Sequence, residues 1–239
     1  MEVLIFDICG RFAHFRKFFT NSSSLTYCVP PRTVLEGMIA AILGKERDSY
    51  YDALGPDNLN IAVKKLCRTR KIMQTLNYLK ATGVGELIAQ KEHTQIPFEI
   101  VTGEKGVKYR VYISHSDSVI LADIRERLEN NKYFYPPYMG SAPFNCNVEY
   151  IDSFTANERE SHDYVYISTL VKQDYIEERG LDITAAELSI MKEKMPRDFE
   201  GDRRIKEIAD YLYEENGFGL RVKLNRSYFS LNNENIVFL

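Results

Sequence analysis

The stretch FDICGRFAHFRKFFTNSSSLTYCVPPRTVLEGMIAAILG, residues 6–44, predicts a buried strand, a long basic and aromatic loop, and a helix. The apolar run Leu4–Ile8, which ends at Gly10, has the length of a strand. Apolar residues then recur at helical spacing over Val34–Leu43. Proline suits the entry of a helix but not its interior, so Pro30-Pro31 marks the start of this helix, and Gly44 marks its end.

The start of this helix is a candidate phosphate site. Arg32 and Thr33 fall in the first turn, where unpaired backbone N–H groups and the positive end of the helix dipole attract anions. An arginine there opposes the dipole, which favours a phosphate bound between the two positive groups. The alternative is that Arg32 points into solvent or pairs with Glu36 one turn later.

The charge of the chain is divided between its halves. The 239 residues carry a net charge of −3 and 44% hydrophobic residues, which is typical of an ordered protein with one large or two small domains. Residues 1–115 hold 16 Lys and Arg against 11 Asp and Glu, whereas residues 116–239 hold 15 against 23. No acidic residue occurs between Asp57 and Glu86, while six basic residues do. This basic window predicts either a polyanion-binding patch or a solvated face.

The composition indicates neither a membrane protein nor a metalloprotein. No run of 18 apolar residues and no signal peptide is visible, so a cytoplasmic protein without membrane contact is expected. The four cysteines form no CxxC pair and the four histidines no HxxxH or HExxH pair, so neither a metal nor another cofactor is expected.

The first half predicts the order βαββαβ of a ferredoxin-like, RRM-like sandwich. Lys71–Leu79 has apolar residues on both faces and predicts a strand covered on both sides, followed by a mobile excursion or hairpin over Lys80–Gln95. The glycine-bounded GEKG turn predicts a hairpin of the strands before and after it. The elements predicted after the first helix are strands Asn60–Leu66, Lys71–Leu79, Ile96–Val101, Val107–Ile113 and Asn147–Phe154, a short helix Ser49–Leu54 and a helix Asp117–Asn131.

The second half predicts mostly strands. Tyr164–Val171 is one candidate, and Asn216-Gly217 before the alternating Phe218–Leu224 is a hairpin signal. Asn232–Asn235 predicts the turn of a last short hairpin, whereas Glu187–Asp210 fits neither helix nor strand well. The expected organisation is an RRM-like domain over residues 1–150 and a smaller β-rich domain over residues 151–239.

Five sequence blocks, spread over nearly the whole chain, carry a family resemblance: GRFAHFRK at 10–17, TYCVPPRTVLEGMIAAILG at 26–44, QIPFEI with KYRVYI within 95–113, PPYMGSAPF at 136–144, and EKMPRDFEGDRR at 193–204. They resemble the fifth Cas protein family, the RAMP-type subunit of CRISPR type I antiviral effector complexes, and are most similar to the type I-B branch. The resemblance implies an α+β fold with a ferredoxin-like N-terminal domain, a thumb hairpin at about Leu79–Gln95 and a β-rich C-terminal domain.

The resemblance also implies a function. A family member of this kind is a non-catalytic RNA-binding subunit that grips the 5′ handle of the CRISPR RNA. It caps the backbone of the complex between the large PAM-recognising subunit and the first repeated backbone subunit.

The expected RNA-binding residues form three groups. Arg32 and Thr33 would hold a phosphate of the handle, and Arg16 and Lys17 would line the same groove. Tyr27, or Phe15, would offer a ring on which an unpaired base stacks. The third group would follow the RNA backbone beneath the thumb and consists of Arg68, Arg70 and Lys71.

Two alternative functions remain open. Type I-C relatives cut the repeat RNA without a metal, and His14 near Arg16, or His115 beside Tyr112 and Lys108, could supply a general base. The Tyr, Lys and His set of such nucleases is incomplete, because Ser114 precedes His115 where a lysine is expected. The second alternative is a protein scaffold whose acidic half docks a basic neighbour without RNA contact. RNA binding by variants of Arg32 or Arg70 would separate these functions.

Overall fold

The computed structural model describes residues 1–89, 92–184 and 188–239. The helices are α1 (Arg32–Leu43), α2 (Tyr51–Leu54), α3 (Val84–Ile88) and α4 (Ser118–Glu129). The first eight strands are β1 (Glu2–Gly10), β2 (Phe15–Arg16), β3 (Thr26–Tyr27), β4 (Leu59–Lys65), β5 (Arg70–Leu79), β6 (His93–Thr102), β7 (Val107–His115) and β8 (Asn147–Thr155). The later strands are β9 (Asn157–Arg159), β10 (Val165–Ile167), β11 (Val171–Lys172), β12 (Ile176–Leu181), β13 (Ile190–Glu200), β14 (Arg204–Glu214), β15 (Leu220–Leu224), β16 (Tyr228–Leu231) and β17 (Glu234–Ile236).

The first half confirms the ferredoxin-like sandwich. Four antiparallel strands pair in the order β4-β7-β1-β8, and α1 and α4 contribute to the same buried cluster as β1. Both helices begin and end at the expected signals. Pro31 precedes α1 and Gly44 ends it in the left-handed conformation, while the Asp117 side chain accepts a hydrogen bond from the backbone N–H of Val119 at the start of α4. The order βαββαβ therefore follows from local signals.

The β5–β6 hairpin departs from two sequence expectations. Its strands pair from Arg70 with Thr102 to Leu79 with His93, so it is longer than the predicted thumb, and residues 90–91 of that range lie outside the described part. The prediction that Lys71–Leu79 is covered on both sides is wrong, because β5 is exposed along almost its whole length. The hairpin predicted across GEKG is also wrong, since β6 pairs with β5 whereas β7 pairs with β1 and β4.

The long loop between β1 and α1 fastens the base of this hairpin to the body of the protein. Ala13 pairs with Val101, and Ser24 exchanges backbone hydrogen bonds with Pro97 and Glu99 at 2.8 and 2.9 Å. The His14 ring stacks on Phe98 with 3.9 Å between ring centroids. Of the aromatic residues of the loop, Phe15 and Tyr27 are buried, whereas Phe18 and Phe19 stay exposed.

The second half consists of small antiparallel sheets, β10-β15-β12, β11-β14-β13 and β17-β16-β9. The unassigned segment 187–210 is mostly strand, because β13 and β14 form a long hairpin, although residue 187 lies outside the described part. The hairpin expected at Asn216-Gly217 is wrong, since β15 pairs with β10 and β12 rather than with β14. The last hairpin is confirmed, and Asn232 and Asn233 supply the positive φ angles of its turn.

The largest buried cluster draws on both halves of the chain. Met195 and Tyr211 pack in the same cluster as Phe6 and Ile39. The boundary at residue 150 falls inside β8, which pairs with β1 until Thr155. The division into two domains therefore stays a prediction. Within the described ranges, no helix is long and apolar enough to cross a membrane.

Candidate nucleic-acid interface

A basic cleft lies at the foot of the β5–β6 hairpin. We call it the thumb-base cleft; it has a volume of about 1160 Å³ and is lined by residues 66–71 and 103–108 with Cys9 and Glu215. Five cations line it, and three of them, Arg68, Arg70 and Lys71, are expected RNA-binding residues. The other two, Lys105 and Lys108, come from the turn and strand after β6 and were not in the expected set.

The backbone around this cleft is held in tight contact with β1. Gly106 has a φ of +92°, and a Cβ atom there would lie 2.4 Å from the carbonyl oxygen of Gly10. Cys67 Sγ accepts a hydrogen bond from the backbone N–H of Lys108 at 3.2 Å. Because these contacts order both sides of the cleft, its cations project from a fixed frame rather than from free loops.

The five cations differ in their pairing. Lys108 Nζ lies 2.9 Å from Asp7 Oδ2, whose hydrogen bond raises the pKa of Lys108, and Lys71 Nζ lies 3.4 Å from Glu99 Oε2. Within the described ranges, no carboxylate oxygen lies within 4.0 Å of the charged nitrogens of the other three, which are Arg68, Arg70 and Lys105. These three cations are the ones available to an anion.

The environment of Arg32 contradicts the prediction of a phosphate site at the start of α1. Its guanidinium is buried, with Nη1 donating to Glu36 Oε2 at 2.8 Å and Nη2 donating to the carbonyl oxygens of Leu54 and Leu59 at 2.9 and 2.8 Å. The alternative pairing with Glu36 is therefore the observed one, and an external phosphate has no access. Burial lowers the pKa of Arg32 and raises that of Glu36 to about 7.

Tyr27 and Lys17 also have internal partners. Tyr27 is fully buried, its hydroxyl donates to the carbonyl oxygen of Lys194 at 2.7 Å, and burial raises its pKa, so no base can stack on its ring. Phe15 is equally buried. Lys17 Nζ lies 2.7 Å from Glu193 Oε2 and 5.2 Å from the centroid of the Tyr27 ring. These contacts fasten the loop to β13.

Of the four residues expected to line one groove, Arg16 and Thr33 line a second concave surface, whereas Lys17 and Arg32 do not. We call it the aromatic groove; it comprises two adjoining cavities of about 530 and 690 Å³ that share six lining residues. Arg16 and Thr33 line the first cavity, and Lys45 and Arg47 line the second. The aromatic run at 133–138, which the sequence shows beside two prolines, is the signal that could have identified this surface.

Neither candidate histidine has the geometry of a general base. His14 Nδ1 donates to the carbonyl oxygen of Glu99 at 2.7 Å, and Nε2 accepts from Ser24 Oγ at 3.0 Å. His115 Nε2 donates to the carbonyl oxygen of Ala53 at 2.9 Å, while Nδ1 accepts from the N–H of Asp117 at 2.9 Å. Both rings are buried, and burial lowers the pKa of His14. Each ring nitrogen is thus occupied by the fold.

Metal ligation finds no support in the described part of the chain. No group of three or more His, Cys, Asp or Glu side chains there is arranged to hold an ion. The four cysteines are free thiols.

Comparison with solved structures finds the same fold in CRISPR proteins. A CRISPR protein from Archaeoglobus fulgidus superimposes with a TM-score of 0.61 at 12% identity, covering 100% of this chain and 99% of that chain. A chain of a CRISPR RNA-guided surveillance complex gives 0.54 at 13% identity, covering 92% and 91%. A chain of the type III-B Cmr-beta complex, bound to cognate target RNA and AMPPnP, gives 0.52 at 11% identity, covering 92% and 86%.

Sequence comparison gives the family. No curated protein matches significantly, and at these identities the solved structures show the fold alone. A family model described as "CRISPR-associated protein (Cas_Cas5)" matches residues 3–208, which is most of the chain. The protein therefore belongs to the Cas5 family of CRISPR-associated proteins.

Proposed function

We propose that this protein is a non-catalytic RNA-binding subunit of a CRISPR effector complex, of type I and closest to the I-B branch. In this proposal it grips the 5′ handle of the CRISPR RNA in the cytoplasm. It caps the backbone between the first repeated subunit and the large PAM-recognising subunit. Membership of the Cas5 family and a fold shared with a chain of an RNA-guided surveillance complex support this assignment.

The thumb-base cleft is the observation that carries the proposal. Arg68, Arg70 and Lys105 line one concave surface with two carboxylates, Glu104 and Glu215, and none of the three cations forms an ion pair within the described ranges. Such cations bind a phosphate backbone by displacing its condensed counterions. Lys71 lines the same cleft, with its Nζ 3.4 Å from Glu99 Oε2, and in the proposal it adds a fourth cation.

The β5–β6 hairpin suits contact with neighbouring subunits. Strand β5 is exposed along almost its whole length, and α3 at the tip of the hairpin exposes three apolar side chains to solvent. Exposed apolar patches of this kind mark interaction surfaces. In the proposal the hairpin is the thumb, which meets the handle and the next backbone subunit. Its exposed apolar residues are Met73, Leu76, Tyr78, Leu79, Val84, Leu87 and Ile88.

The other expected residues take different roles in this proposal. Arg16 and Thr33 contact RNA from the aromatic groove. Lys17, Tyr27 and Arg32 do not touch RNA but hold the loop and α1 against the C-terminal hairpin β13–β14.

The test is a titration of the full-length protein with labelled 5′-handle RNA at about 50 and about 200 mM salt. Arg68→Glu/Arg70→Glu is compared with wild type and with Arg159→Glu, an exposed arginine on β9 outside both concave surfaces. We expect the double variant to weaken binding at least about tenfold and to flatten the salt dependence, because two phosphate contacts are lost. Arg159→Glu should bind like wild type.

The same samples distinguish the two alternative functions. RNA that remains whole on a gel without metal agrees with a non-catalytic role, whereas a single cut would support the endoribonuclease. Equal affinity of wild type and the double variant would contradict the role of the thumb-base cleft. Assembly with partner subunits in the absence of any RNA affinity would favour the protein scaffold.

A further inference from the structure

A third concave surface, lined mainly by carboxylates, lies between the α2 segment and the turn that joins β13 to β14. We call it the acidic cavity; it has a volume of about 520 Å³ and shares no lining residue with the thumb-base cleft. Its lining within the described ranges includes five carboxylates and a single cation, so its charge is opposite to that of the cleft. The carboxylates are Asp48, Asp52, Asp57, Asp198 and Glu200, and the cation is Lys206.

One of these carboxylates is buried and only partly satisfied. Asp198 is 3% exposed and lines the acidic cavity. The β13–β14 pairing shifts register on both sides of Asp198, and such β-bulges re-aim the side chains of their strand. Within the described ranges its Oδ1 accepts no hydrogen bond, while its Oδ2 lies 2.9 Å from Nζ of Lys206. A buried carboxylate oxygen without a donor is unfavourable, so Oδ1 calls for a donor from outside the chain.

The two walls of the acidic cavity are fastened to each other. Arg203 Nε donates to Asp48 Oδ1 at 2.7 Å, which joins the turn after β13 to the segment before α2. The Tyr51 and Phe199 rings meet edge to face with 6.1 Å between their centroids. Because these contacts already order both walls, a ligand that enters the cavity pays little to order them.

The remaining carboxylates create a negative field without a metal site. Asp52 and Asp57 are exposed, and neither forms an ion pair with a described residue. The hydrogen bond to Asp198, followed by the charges of Asp198, Asp57 and Glu200, raises the pKa of Lys206, so these groups act on one cationic nitrogen. In the described part of the chain, however, no three such side chains are arranged to hold a metal ion. Spaced carboxylates suit a larger, planar cation such as a guanidinium, whose five donors point in several directions.

We infer that the acidic cavity binds an arginine side chain presented by a partner polypeptide, with the guanidinium on Asp198 in place of Lys206 and flanked by Asp52 and Asp57. A guanidinium can donate to both oxygens of one carboxylate, whereas the ammonium of Lys206 reaches only Oδ2. A free amino acid would bring its own carboxylate to this acidic surface, and an arginine within a chain does not. The inference goes beyond the proposed function, in which partner contact belongs to the β5–β6 hairpin.

The test titrates the full-length protein with a blocked tripeptide that carries arginine between two glycines. Matched peptides carry lysine or citrulline, the uncharged isostere of arginine. Heteronuclear NMR should show that the arginine peptide shifts the backbone N–H signals of Asp52, Asp57 and Asp198, and that the citrulline peptide does not. The arginine peptide should bind at least about fivefold more tightly than the lysine peptide, because only a guanidinium donates to both oxygens of Asp198.

A charge variant tests the rim of the cavity. Asp52→Asn/Asp57→Asn should weaken binding of the arginine peptide about tenfold, since two interactions with a charged group lose their charge. Both side chains are exposed, so the fold should tolerate the change. The matched control is Asp163→Asn/Asp174→Asn, which removes the same charge from two exposed positions outside the cavity and should bind the peptide like wild type.

Lys206→Ala should change the affinity in the opposite direction. It removes the ammonium that the guanidinium must displace, so the arginine peptide should bind about threefold or more tightly. The control is Lys192→Ala, which removes an exposed lysine on β13 that pairs with Asp210 at 3.1 Å outside the cavity. An equal gain in both variants would show a general effect of net charge and would count against the inference.

Three results would overturn the inference: no binding of the arginine peptide up to about 10 mM, equal affinity for arginine and lysine peptides, or equal affinity of wild type and Asp52→Asn/Asp57→Asn. Handle RNA is titrated in parallel, and this double variant should bind it like wild type. A failure of Arg68→Glu/Arg70→Glu to weaken handle binding counts against the proposed function alone, whereas a failure of Asp52→Asn/Asp57→Asn to weaken peptide binding counts against the acidic cavity alone.

Discussion

The N-terminus of α1 and the foot of the β5–β6 hairpin both carry arginines that the sequence assigns to RNA, yet their environments are opposite. Arg32 is 1% exposed, and its guanidinium donates to a carboxylate and two carbonyl oxygens. Arg68 and Arg70 are exposed at a cleft, and no carboxylate lies within ion-pair distance in the described ranges. An arginine recognises an external anion only when the fold leaves its donors unpaired.

A buried arginine and an exposed arginine also contribute to different free energies, that of folding and that of binding. The Arg32–Glu36 pair joins α1 to α2 and β4 and reaches the carbonyl oxygen of Arg197 on β13 at 3.5 Å. Removing one member leaves a buried charge without its partner, which destabilises the fold. Removing an exposed arginine leaves no such charge, so its loss should appear in binding and not in stability.

The largest expected effect belongs to Arg32→Met. This change leaves the Glu36 carboxylate buried without its cation, and we expect the free energy of unfolding to fall by about 3–5 kcal/mol. Urea denaturation measures the loss, and the affinity of the remaining folded protein for handle RNA should be unchanged. Arg32→Met/Glu36→Leu is the control, and it should recover most of the stability because an apolar pair replaces the ion pair. If Arg32→Met were as stable as wild type but no longer bound RNA, Arg32 would be an RNA-binding residue and not a structural one.

Arg70→Ala tests the opposite region. The exposed guanidinium makes no ion pair with a described residue, so the free energy of unfolding should change by less than about 0.5 kcal/mol. Affinity for handle RNA should fall by about 1.5–3 kcal/mol, the range for a hydrogen bond to a charged group. Isothermal titration of handle RNA and urea denaturation measure the two quantities. Destabilisation without loss of affinity would assign Arg70 to the fold.

The pH dependence of stability should reveal the buried pair. Burial raises the pKa of Glu36 from 4.5 to about 7 in the folded state, so the folded protein binds a proton more tightly than the unfolded chain. Its contribution to stability is therefore complete below about pH 4.5 and is lost as the pH rises through about 7, by on the order of 3 kcal/mol. The measurement is the difference in free energy of unfolding between wild type and Glu36→Gln from pH 4.5 to 8. We expect wild type to lose stability relative to Glu36→Gln as the pH rises. A gain of wild-type stability relative to Glu36→Gln over this range would contradict the raised pKa of Glu36.

The smallest expected effect belongs to Tyr27→Phe. The substitution removes the hydrogen bond from the Tyr27 hydroxyl to the carbonyl oxygen of Lys194 and should cost about 1 kcal/mol of stability. Because the ring is fully buried, affinity for RNA should not change. Parallel denaturation and RNA titration check both statements. Weaker RNA binding at unchanged stability would show that Tyr27 becomes accessible and contacts a base.

The sequence-based predictions that the structure contradicts failed for physical reasons. Apolar residues on both faces of Lys71–Leu79 predicted a covered strand, but the same pattern occurs in a hairpin that leaves the body of the protein. The glycines of GEKG satisfy the geometry of any tight turn, and here the turn passes from one sheet to another. The hairpin predicted at Asn216-Gly217 failed for the same reason, since Gly217 takes a φ of +93° in a turn whose flanking strands do not pair with each other.

The sequence by itself determined the order of elements in the first half, the ends of α1 and α4, and the concentration of cations before the thumb. Periodicity, proline, glycine and capping residues act within a few positions, so one sequence contains their whole effect. Only the tertiary structure decided which strands pair and which arginines stay available. Lys17 meets Glu193, and Arg32 meets Leu54 and Leu59, across separations that local patterns do not encode. Desolvation and pairing depend on such distant neighbours, and they decide whether an arginine stabilises the fold or binds a ligand.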